Sequence, residues 1–200
     1  MFGVLDVSPR LKLLILTLLI EGVVFIVALL LARLCGIALF PLTENLLRDI
    51  LLGTCAASFP LALFIFSLSN KAKAIPLLRS VRKTVKTDVK AIFSMARLID
   101  ICFICLCAGF AEELLFRGVI QGKGGIIAAS VIFGLLHCIT PAYIVMATII
   151  GFYIGFIYFF YHSLLLAMQL HFVYDFGALI YLKYCVNKFY GTNFLNGLSN

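Results

Sequence analysis

Ala111-Glu112-Glu113-Leu114-Leu115-Phe116-Arg117-Gly118 places two adjacent carboxylates and a guanidinium at the end of an apolar run that starts at Leu98. Up to Ala111 that run is interrupted only by Asp100. A charged side chain at the centre of a membrane helix costs roughly 2.5–3.5 kcal/mol on insertion scales. Charged groups kept there are paired, face a water-filled cavity or take part in chemistry. The stretch therefore predicts a membrane helix that carries a candidate functional site.

The composition of the whole chain also indicates a membrane protein. Of the 200 residues, 64% are hydrophobic and 12% are charged, and the mean hydropathy is +1.14. Soluble domains are nearer to half apolar and a quarter charged. We predict an all-α, polytopic transmembrane helix bundle with about six spans, folded as a single membrane domain over residues 1–200.

The apolar runs and the breaks between them divide the chain into three parts. Residues 11–68 would form two N-terminal spans, residues 69–97 a basic loop and residues 98–183 a four-helix core. Pro60 predicts a kink in the second span. A tight connection at Gly122–Gly125 would lead into a fourth span that ends near Cys138 and is short for a full crossing, since crossing needs about 20 residues.

The basic residues are concentrated in the loop. The net charge is +7, and eight of the sixteen Lys and Arg residues lie between Lys71 and Arg97, opposed there only by Asp88. Under the positive-inside rule this pattern places the loop and the N-terminus in the cytoplasm, where the loop can touch anionic lipid, and it argues against a nucleic-acid partner. The latter part, 79–97, is predicted to be an amphipathic surface helix whose apolar side carries Val81, Val85, Val89, Ile92 and Phe93.

The polar residues of the core come in pairs at helical spacing. Residues four apart share a helix face, and three such pairs occur: Glu113 with Arg117, Phe133 with His137, and His171 with Asp175. Glu112 points about 100° away from Glu113, so the two carboxylates are expected to have different roles. Glu21, inside the first span, is interpreted as a hydrogen-bonded or protonated carboxyl.

The depths of these groups indicate that they can meet. At 1.5 Å per residue, Glu112 lies about 15 Å below Gly122 and His137 about 18 Å below Gly125. His171 lies about 12 Å below Ser163, which an alternating six-span bundle puts on the same side as that turn. Similar depths favour one shared cavity.

Such a cavity has the groups that peptide hydrolysis needs. A glutamate and a histidine can hold a water and remove its proton as it attacks a carbonyl. A second histidine can donate to the developing oxyanion. The same side chains, Glu112, His137 and His171, would also suit a catalytic zinc with an open fourth position, although the HExxH signature is absent.

Three motifs in this chain resemble one known family. Glu112-Glu113-x-x-x-Arg117, Phe133-x-x-x-His137 and His171-x-x-x-Asp175 are similar, in order and spacing, to the motifs of the CAAX protease and bacteriocin-processing family, the type II CAAX prenyl endopeptidases. The resemblance covers about residues 96–185 and makes the four-helix core a catalytic core. It implies an intramembrane endopeptidase that acts on a membrane-associated or lipidated protein or peptide.

The resemblance also implies roles for individual residues. Glu112 with His137 would activate the water, and His171 with the residue four later would stabilise the oxyanion. Glu113, Arg117 and Phe133 would be supporting residues. The implied mechanism is of the glutamate type and requires no cofactor, with zinc left as the alternative.

One position departs from the family pattern. Prenyl-processing members often carry Asn where this chain has Asp175, and an ionised Asp cannot donate to an oxyanion. Asp175 is expected to fix the tautomer of His171 instead. The departure weakens the inference of a CAAX substrate more than the inference of a hydrolase.

Two further questions stay open at this point. A non-catalytic polytopic protein, either a bacteriocin-immunity-type binding protein or a proton-coupled carrier, could use the same polar residues. This alternative function is the first question.

The second question concerns the side of the membrane on which the site opens. The chain would be a multi-pass protein of the bacterial plasma (inner) membrane, with lipids and a peptide or protein substrate as partners and no nucleic acid. The charge rule places the Gly122–Gly125 turn opposite the cytoplasm, whereas the prenyl-processing relatives act on cytosolic proteins.

Overall fold

Helices make up nearly all of residues 8–186, the part of the chain that the structure, a computed structural model, describes. The first half contains α1 (Pro9–Cys35), α2 (Leu46–Ala56), α3 (Ser58–Leu68), a 3-10 turn (Lys71–Ala74), α4 (Pro76–Thr84), a π-helical segment (Val85–Val89) and α5 (Lys90–Ile92). The second half contains α6 (Leu98–Glu113), its π-helical continuation (Leu114–Gln121), α7 (Gly122–Leu136), α8 (Pro141–Tyr161), α9 (Leu164–Ile180) and a final π-helical segment (Tyr181–Cys185).

The helix ends follow ordinary capping chemistry. Ser8, Asn45, Thr140 and Ser163 each accept a hydrogen bond from a backbone N–H of the turn they precede. Such caps satisfy donors that have no partner inside the helix. Gly36 ends α1 with a φ of 64°, a left-handed conformation that glycine adopts without strain.

All six predicted spans are helical. Four helices within residues 8–186 are long and apolar enough to cross a membrane: Pro9–Cys35, Leu46–Leu68, Pro141–Tyr161 and Leu164–Cys185. The other two predicted spans correspond to the helix from Leu98, which carries the charged residues of the site, and to α7, which has 15 residues. Large exposed apolar side chains cover α1, Leu19 being 63% exposed, as expected of a surface that faces lipid. The chain is an all-α membrane bundle.

Both irregularities predicted for the helices are present. The second span breaks between α2 and α3 at Ala57, three residues before Pro60. The connection between the third and fourth spans is a kink at Gly125, where φ is 78°. The division into two N-terminal spans and a core remains a prediction.

The segment after α3 covers one end of the bundle. Val81, Val85 and Val89 are buried against Leu68 and against Leu182 at the end of the last helix. The basic loop thus contains an amphipathic helix from Pro76 to Ile92 that packs its valines inward. It ends before the predicted bound, since residues 93–97 of the predicted 79–97 helix are not helical. Ile92, assigned to the same side, is 50% exposed.

Close approach between α6 and α9 brings the site together. A Cβ on Gly109 would lie 3.2 Å from the carbonyl oxygen of Met168 and from the backbone nitrogen of Phe172. Glycine at this position therefore lets the two helices pack backbone to backbone. Glu112 and Glu113 follow one turn later on α6, opposite His171 on α9.

A charged pair joins α6 to α1 at the other end of α6. Asp100 is buried, and its two carboxylate oxygens accept from Nε and Nη2 of Arg10, each at 2.6 Å. Bidentate arginine–carboxylate pairs are among the strong, geometrically specific contacts in proteins. The starts of α1 and α6 therefore lie at the same end of the bundle, next to the basic segment.

Candidate active site

Glu113 is the most enclosed of the predicted site residues. Its side chain is fully buried, and its Oε1 accepts a hydrogen bond from Nη1 of Arg117 at 2.7 Å and from Nδ1 of His171 at 2.6 Å. Because an ionised carboxylate only accepts, the imidazole must donate through Nδ1. One carboxylate oxygen thus connects α6, its π-helical continuation and α9.

Arg117 extends this network to α8. Its Nη2 donates to the carbonyl oxygen of Gly151 at 3.0 Å, and its guanidinium carbon lies 5.0 Å from the centre of the Phe133 ring. The ring of Phe133 also packs 4.4 Å from the imidazole of His137. Phe133 therefore contacts both the guanidinium of Arg117 and the imidazole of His137.

Glu112 and His137 face each other without a direct hydrogen bond. Oε2 of Glu112 lies 3.9 Å from Nε2 of His137, which exceeds hydrogen-bonding distance. That oxygen is buried and has no hydrogen-bond partner among the described residues. Nδ1 of His137 lies 2.8 Å from the carbonyl oxygen of Phe133. A carbonyl can only accept, so Nδ1 carries the proton and Nε2 faces the glutamate.

His171 lies between two carboxylates. Nδ1 donates to Glu113 at 2.6 Å, and Nε2 is 3.3 Å from Oδ2 of Asp175. The sequence predicted Asp175 as the residue that orients His171, but the contact with Glu113 is the shorter one. Glu113 therefore does more than pair with Arg117.

A cavity of about 90 Å³ lies beside these residues. His137, His171 and Asp175 form part of its wall, and Val81 and Val85 of the basic segment form another part. A single buried water needs roughly 10–15 Å³ of such cavity volume. The cavity therefore has room for several waters or for a short length of an extended peptide.

The alternative of a zinc site has a specific geometric requirement. Zinc needs three protein donors that converge on one point, and both ring nitrogens of His171 already face carboxylates. Within residues 8–186 there is no group of three or more His, Cys, Asp or Glu side chains arranged to hold a metal ion. A zinc held by Glu112, His137 and His171 would require Nε2 of His171 to give up its contact with Asp175.

The structure adds three residues to the site. Tyr143 and Tyr174 line the cavity, and Glu21 of α1 lies within electrostatic range of Glu112 and of both histidines. Oε2 of Glu21 is buried, with no hydrogen-bond partner in the part of the chain that is described. Glu21 was visible in the sequence as an acidic residue in an apolar span, whereas nothing in the sequence distinguished the two tyrosines from other aromatic residues.

All the predicted site residues come together in space. Glu112, Glu113 and Arg117 lie on one helix and its π-helical continuation. Phe133 and His137 approach from α7, and His171 and Asp175 approach from α9. The π-helical segment was not predicted. Such segments are rare in proteins, and those that occur are often found at functional sites.

Comparison with known families finds a match over the region of the chain that carries these residues. Residues 94–177 match the family described as type II CAAX prenyl endopeptidase Rce1-like. The matched range includes every predicted site residue and leaves α1, α2 and α3 outside. The match covers less than half of the chain and makes this region similar to that family.

One bacterial protein that is similar to part of this chain is described as uncharacterized. The uncharacterized protein YpbD of Bacillus subtilis (strain 168) is 39% identical over 89 residues, which is 43% of this chain and 47% of that protein. The match thus spans about half the length of the relative. No solved structure matches the chain.

Proposed function

Because residues 94–177 match the Rce1-like family, we propose that this chain is an intramembrane endopeptidase of the glutamate type. It would hydrolyse a peptide bond of a membrane-associated or lipidated protein or peptide. The observation that carries this proposal is the pair formed by Glu112 and His137, whose facing oxygen and nitrogen are 3.9 Å apart.

The spacing of that pair suits one bridging water. Polar atoms that face each other across more than 3.5 Å are commonly joined by water. Oε2 of Glu112 and Nε2 of His137 both act as acceptors, so they would take the two hydrogens of the same water. The lone pairs of the water then point away from both residues and towards a substrate carbonyl carbon.

Proton transfer completes the reaction. As the water oxygen bonds to the carbonyl carbon, Glu112 takes one proton from the water. When the C–N bond breaks, Glu112 acts as a general acid and returns that proton to the leaving amine. The second proton of the water stays on the new carboxyl group and is released when that product ionises in water. The products are therefore a carboxylic acid and an amine, and Glu112 is regenerated as a carboxylate.

The oxyanion would be stabilised by His171. Its Nδ1 is fixed by Glu113, so the ring keeps one orientation while Nε2 remains next to the cavity. The contact of Nε2 with Asp175, at 3.3 Å, is the longer of the two. Because Nδ1 donates to Glu113, Nε2 can donate only when the imidazole is doubly protonated. We propose that His171 is in this form and that the hydrogen bond of its Nε2–H shifts from Asp175 to the developing oxyanion as substrate enters.

We also infer that the cavity opens to the cytoplasm. Val81 and Val85 line it, and they belong to the basic segment that the positive-inside rule assigns to the cytoplasm. The turn at Gly125 lies at the far end of α7 from His137. A cytoplasmic opening is consistent with a cytosolic substrate, and the bacterial origin of YpbD supports a place in the plasma membrane of a bacterium.

A cleavage assay on the reconstituted full chain tests the proposal. The probe is an internally quenched peptide that ends in a prenylated CAAX sequence, tested beside the same peptide without the lipid. Wild type should cleave the lipidated probe, and Glu112→Gln should lower kcat by at least 10²-fold, as expected when a general base is lost. Glu44→Gln, a change of the same chemistry at an exposed glutamate outside the site, is the matched control and should cleave as wild type does.

If neither peptide is cleaved, peptides released from reconstituted bacterial membrane proteins by wild type and by Glu112→Gln are compared by mass spectrometry. A release that depends on Glu112 supports the endopeptidase. A cellular phenotype that survives Glu112→Gln, His137→Ala and His171→Ala would instead favour a binding protein of the immunity type. Proton-coupled uptake that is lost in the same variants would favour a carrier.

A further inference from the structure

The segment that covers the cytoplasmic end of the bundle has two chemically different sides. Its buried side carries Val81 and Val85, which also line the cavity of the candidate site. Its outer side forms an open groove of about 550 Å³ whose walls are Lys73, Arg79, Arg82, Lys83, Lys86 and Thr87. Five of these six residues are cationic, so the groove is a concave surface of one charge.

The groove is held in shape by backbone contacts. Nε of Arg79 donates to the carbonyl oxygen of Lys73 at 2.7 Å. Nη1 of Arg82 donates to the carbonyl oxygen of Ser69 at 3.0 Å and contacts the side chain of Asn70. These bonds fix the 3-10 turn against α4. The cationic residues on both sides of the groove are therefore set at a defined separation.

Little negative charge opposes the groove. Asp88 is the only acidic residue between Lys71 and Arg97, and one of its oxygens accepts from the hydroxyl of Thr87 at 2.8 Å. Among the residues of this segment, an anion in the groove would meet more cationic than acidic side chains.

The location of the groove indicates the source of the anion. The segment follows immediately on the membrane-crossing stretch that ends at Leu68. Apolar residues of the same segment are also exposed, Ile75 to 45% and Met95 to 61%. Cationic and apolar side chains exposed side by side are typical of a segment at the level of the lipid headgroups, and four to eight Lys or Arg residues next to a span are typical of sites for anionic lipids.

We propose that this groove binds the phosphate headgroup of an anionic phospholipid in the cytoplasmic leaflet. The lipid would stay bound while the segment covers the bundle, and its binding does not depend on peptide hydrolysis. An acidic polypeptide or a free phosphate could satisfy the same charges, but neither would account for the exposed apolar residues beside the groove.

Binding of defined lipids to the purified full chain tests this proposal. The probe is dioleoylphosphatidylglycerol, with dioleoylphosphatidylcholine as the neutral reference, titrated in detergent and read by native mass spectrometry. Lys73→Gln with Lys83→Gln removes two exposed lysines that line the groove. Lys71→Gln with Lys90→Gln removes two lysines of the same segment that lie outside the groove, so the two variants have equal net charge.

The two double variants are expected to differ. Loss of the groove lysines should weaken phosphatidylglycerol binding on the order of tenfold, while the control pair changes it by about twofold or less and neither pair changes phosphatidylcholine binding. Equal weakening in both variants would show a general charge effect and overturn the proposal, as would no weakening in either. Displacement of the lipid by inorganic phosphate or by polyglutamate would overturn it in favour of those ligands.

Discussion

Oε1 of Glu113 lies 2.6 Å from Nδ1 of His171, and this contact joins the end of α6 to the middle of α9. The same oxygen accepts from Arg117. The second carboxylate of the Glu-Glu pair therefore holds one of the two histidines in place, while the first faces the other histidine. The two glutamates are adjacent in sequence but face different histidines: Glu112 faces His137 at the end of α7, and Glu113 bonds to His171 on α9.

Loss of Arg117 should destabilise the fold. Arg117→Met leaves the buried carboxylate of Glu113 without its cationic partner, and breaking a buried ion pair in this way costs about 3–5 kcal/mol. Chemical unfolding of the detergent-solubilised protein would measure the change. Arg33→Met, at an exposed position of α1, is the control and should be close to neutral.

A double variant distinguishes a coupled pair from two independent losses. Glu113→Gln combined with Arg117→Met should cost less than the sum of the single changes, because neither partner is then left charged and alone. Additive losses would contradict the coupling inferred from the geometry.

Replacement of Asp175 by Asn should leave the protein active. The 2.6 Å contact with Glu113 keeps His171 oriented without Asp175, and an asparagine amide can donate to an oxyanion where an ionised Asp cannot. We expect Asp175→Asn to retain most of the wild-type kcat for the quenched peptide. His171→Ala should abolish cleavage, and equal losses in the two variants would show that Asp175 is the essential partner.

The sequence was sufficient to predict the helices and the pairs of residues that meet within one helix. Apolar runs predicted six helical spans, of which four are long and apolar enough to cross a membrane. Spacing of four residues predicted the pairs of Glu113 with Arg117 and of His171 with Asp175. These features follow from local geometry and from the cost of charge in hydrocarbon. The roles proposed for the individual residues remain predictions.

Contacts between distant parts of the chain could not be predicted in this way. The bond from Glu113 to His171 spans 58 residues. The walls of the cavity include residues of α3, α4, α7, α8 and α9. The π-helical segment Leu114–Gln121 has no sequence signal either, because its side chains from Leu114 to Val119 are buried on all sides. Packing around the whole helix sets its geometry.

Chelation of metal should not inhibit the proposed cleavage. Both nitrogens of His171 face carboxylates, so Glu112 and His137 are the two donors left at the proposed water site. We expect 1,10-phenanthroline and EDTA to leave cleavage unchanged, and elemental analysis of the active protein to find less than one zinc per chain. Inhibition that added zinc reverses would contradict the glutamate mechanism and favour the zinc alternative.

A methyl group at Gly134 should separate α7 from α8. A Cβ there would lie 1.9 Å from Oγ1 of Thr148 and 2.8 Å from the carbonyl oxygen of Ile144. The threonine side chain can rotate, but the backbone carbonyl cannot move without the helix. Overpacking of this kind costs about 1–3 kcal/mol, so Gly134→Ala should lower the unfolding free energy and displace His137, with loss of cleavage.

The matched control for that change is Gly22→Ala in α1. A Cβ at Gly22 has nothing within 4 Å, and alanine is preferred to glycine in a helix by up to about 1 kcal/mol. The two substitutions are chemically identical, and their effects on stability should have opposite signs. A loss of stability at both positions would show that glycine serves flexibility rather than close packing.

Neutralising Glu21 should stabilise the protein. Its Oε2 is buried without a hydrogen-bond partner among the described residues, and it lies within electrostatic range of two other carboxylates, Glu112 and Asp175. Glu21→Gln keeps the shape of the side chain and removes the repulsion between like charges, which should raise the unfolding free energy on the order of 1 kcal/mol with cleavage retained. Glu44→Gln at the surface should leave thermal unfolding unchanged. If Glu21→Gln lowers stability and cleavage together, the carboxylate is part of the machinery around Glu112, and the catalytic unit extends beyond residues 94–177 to include α1.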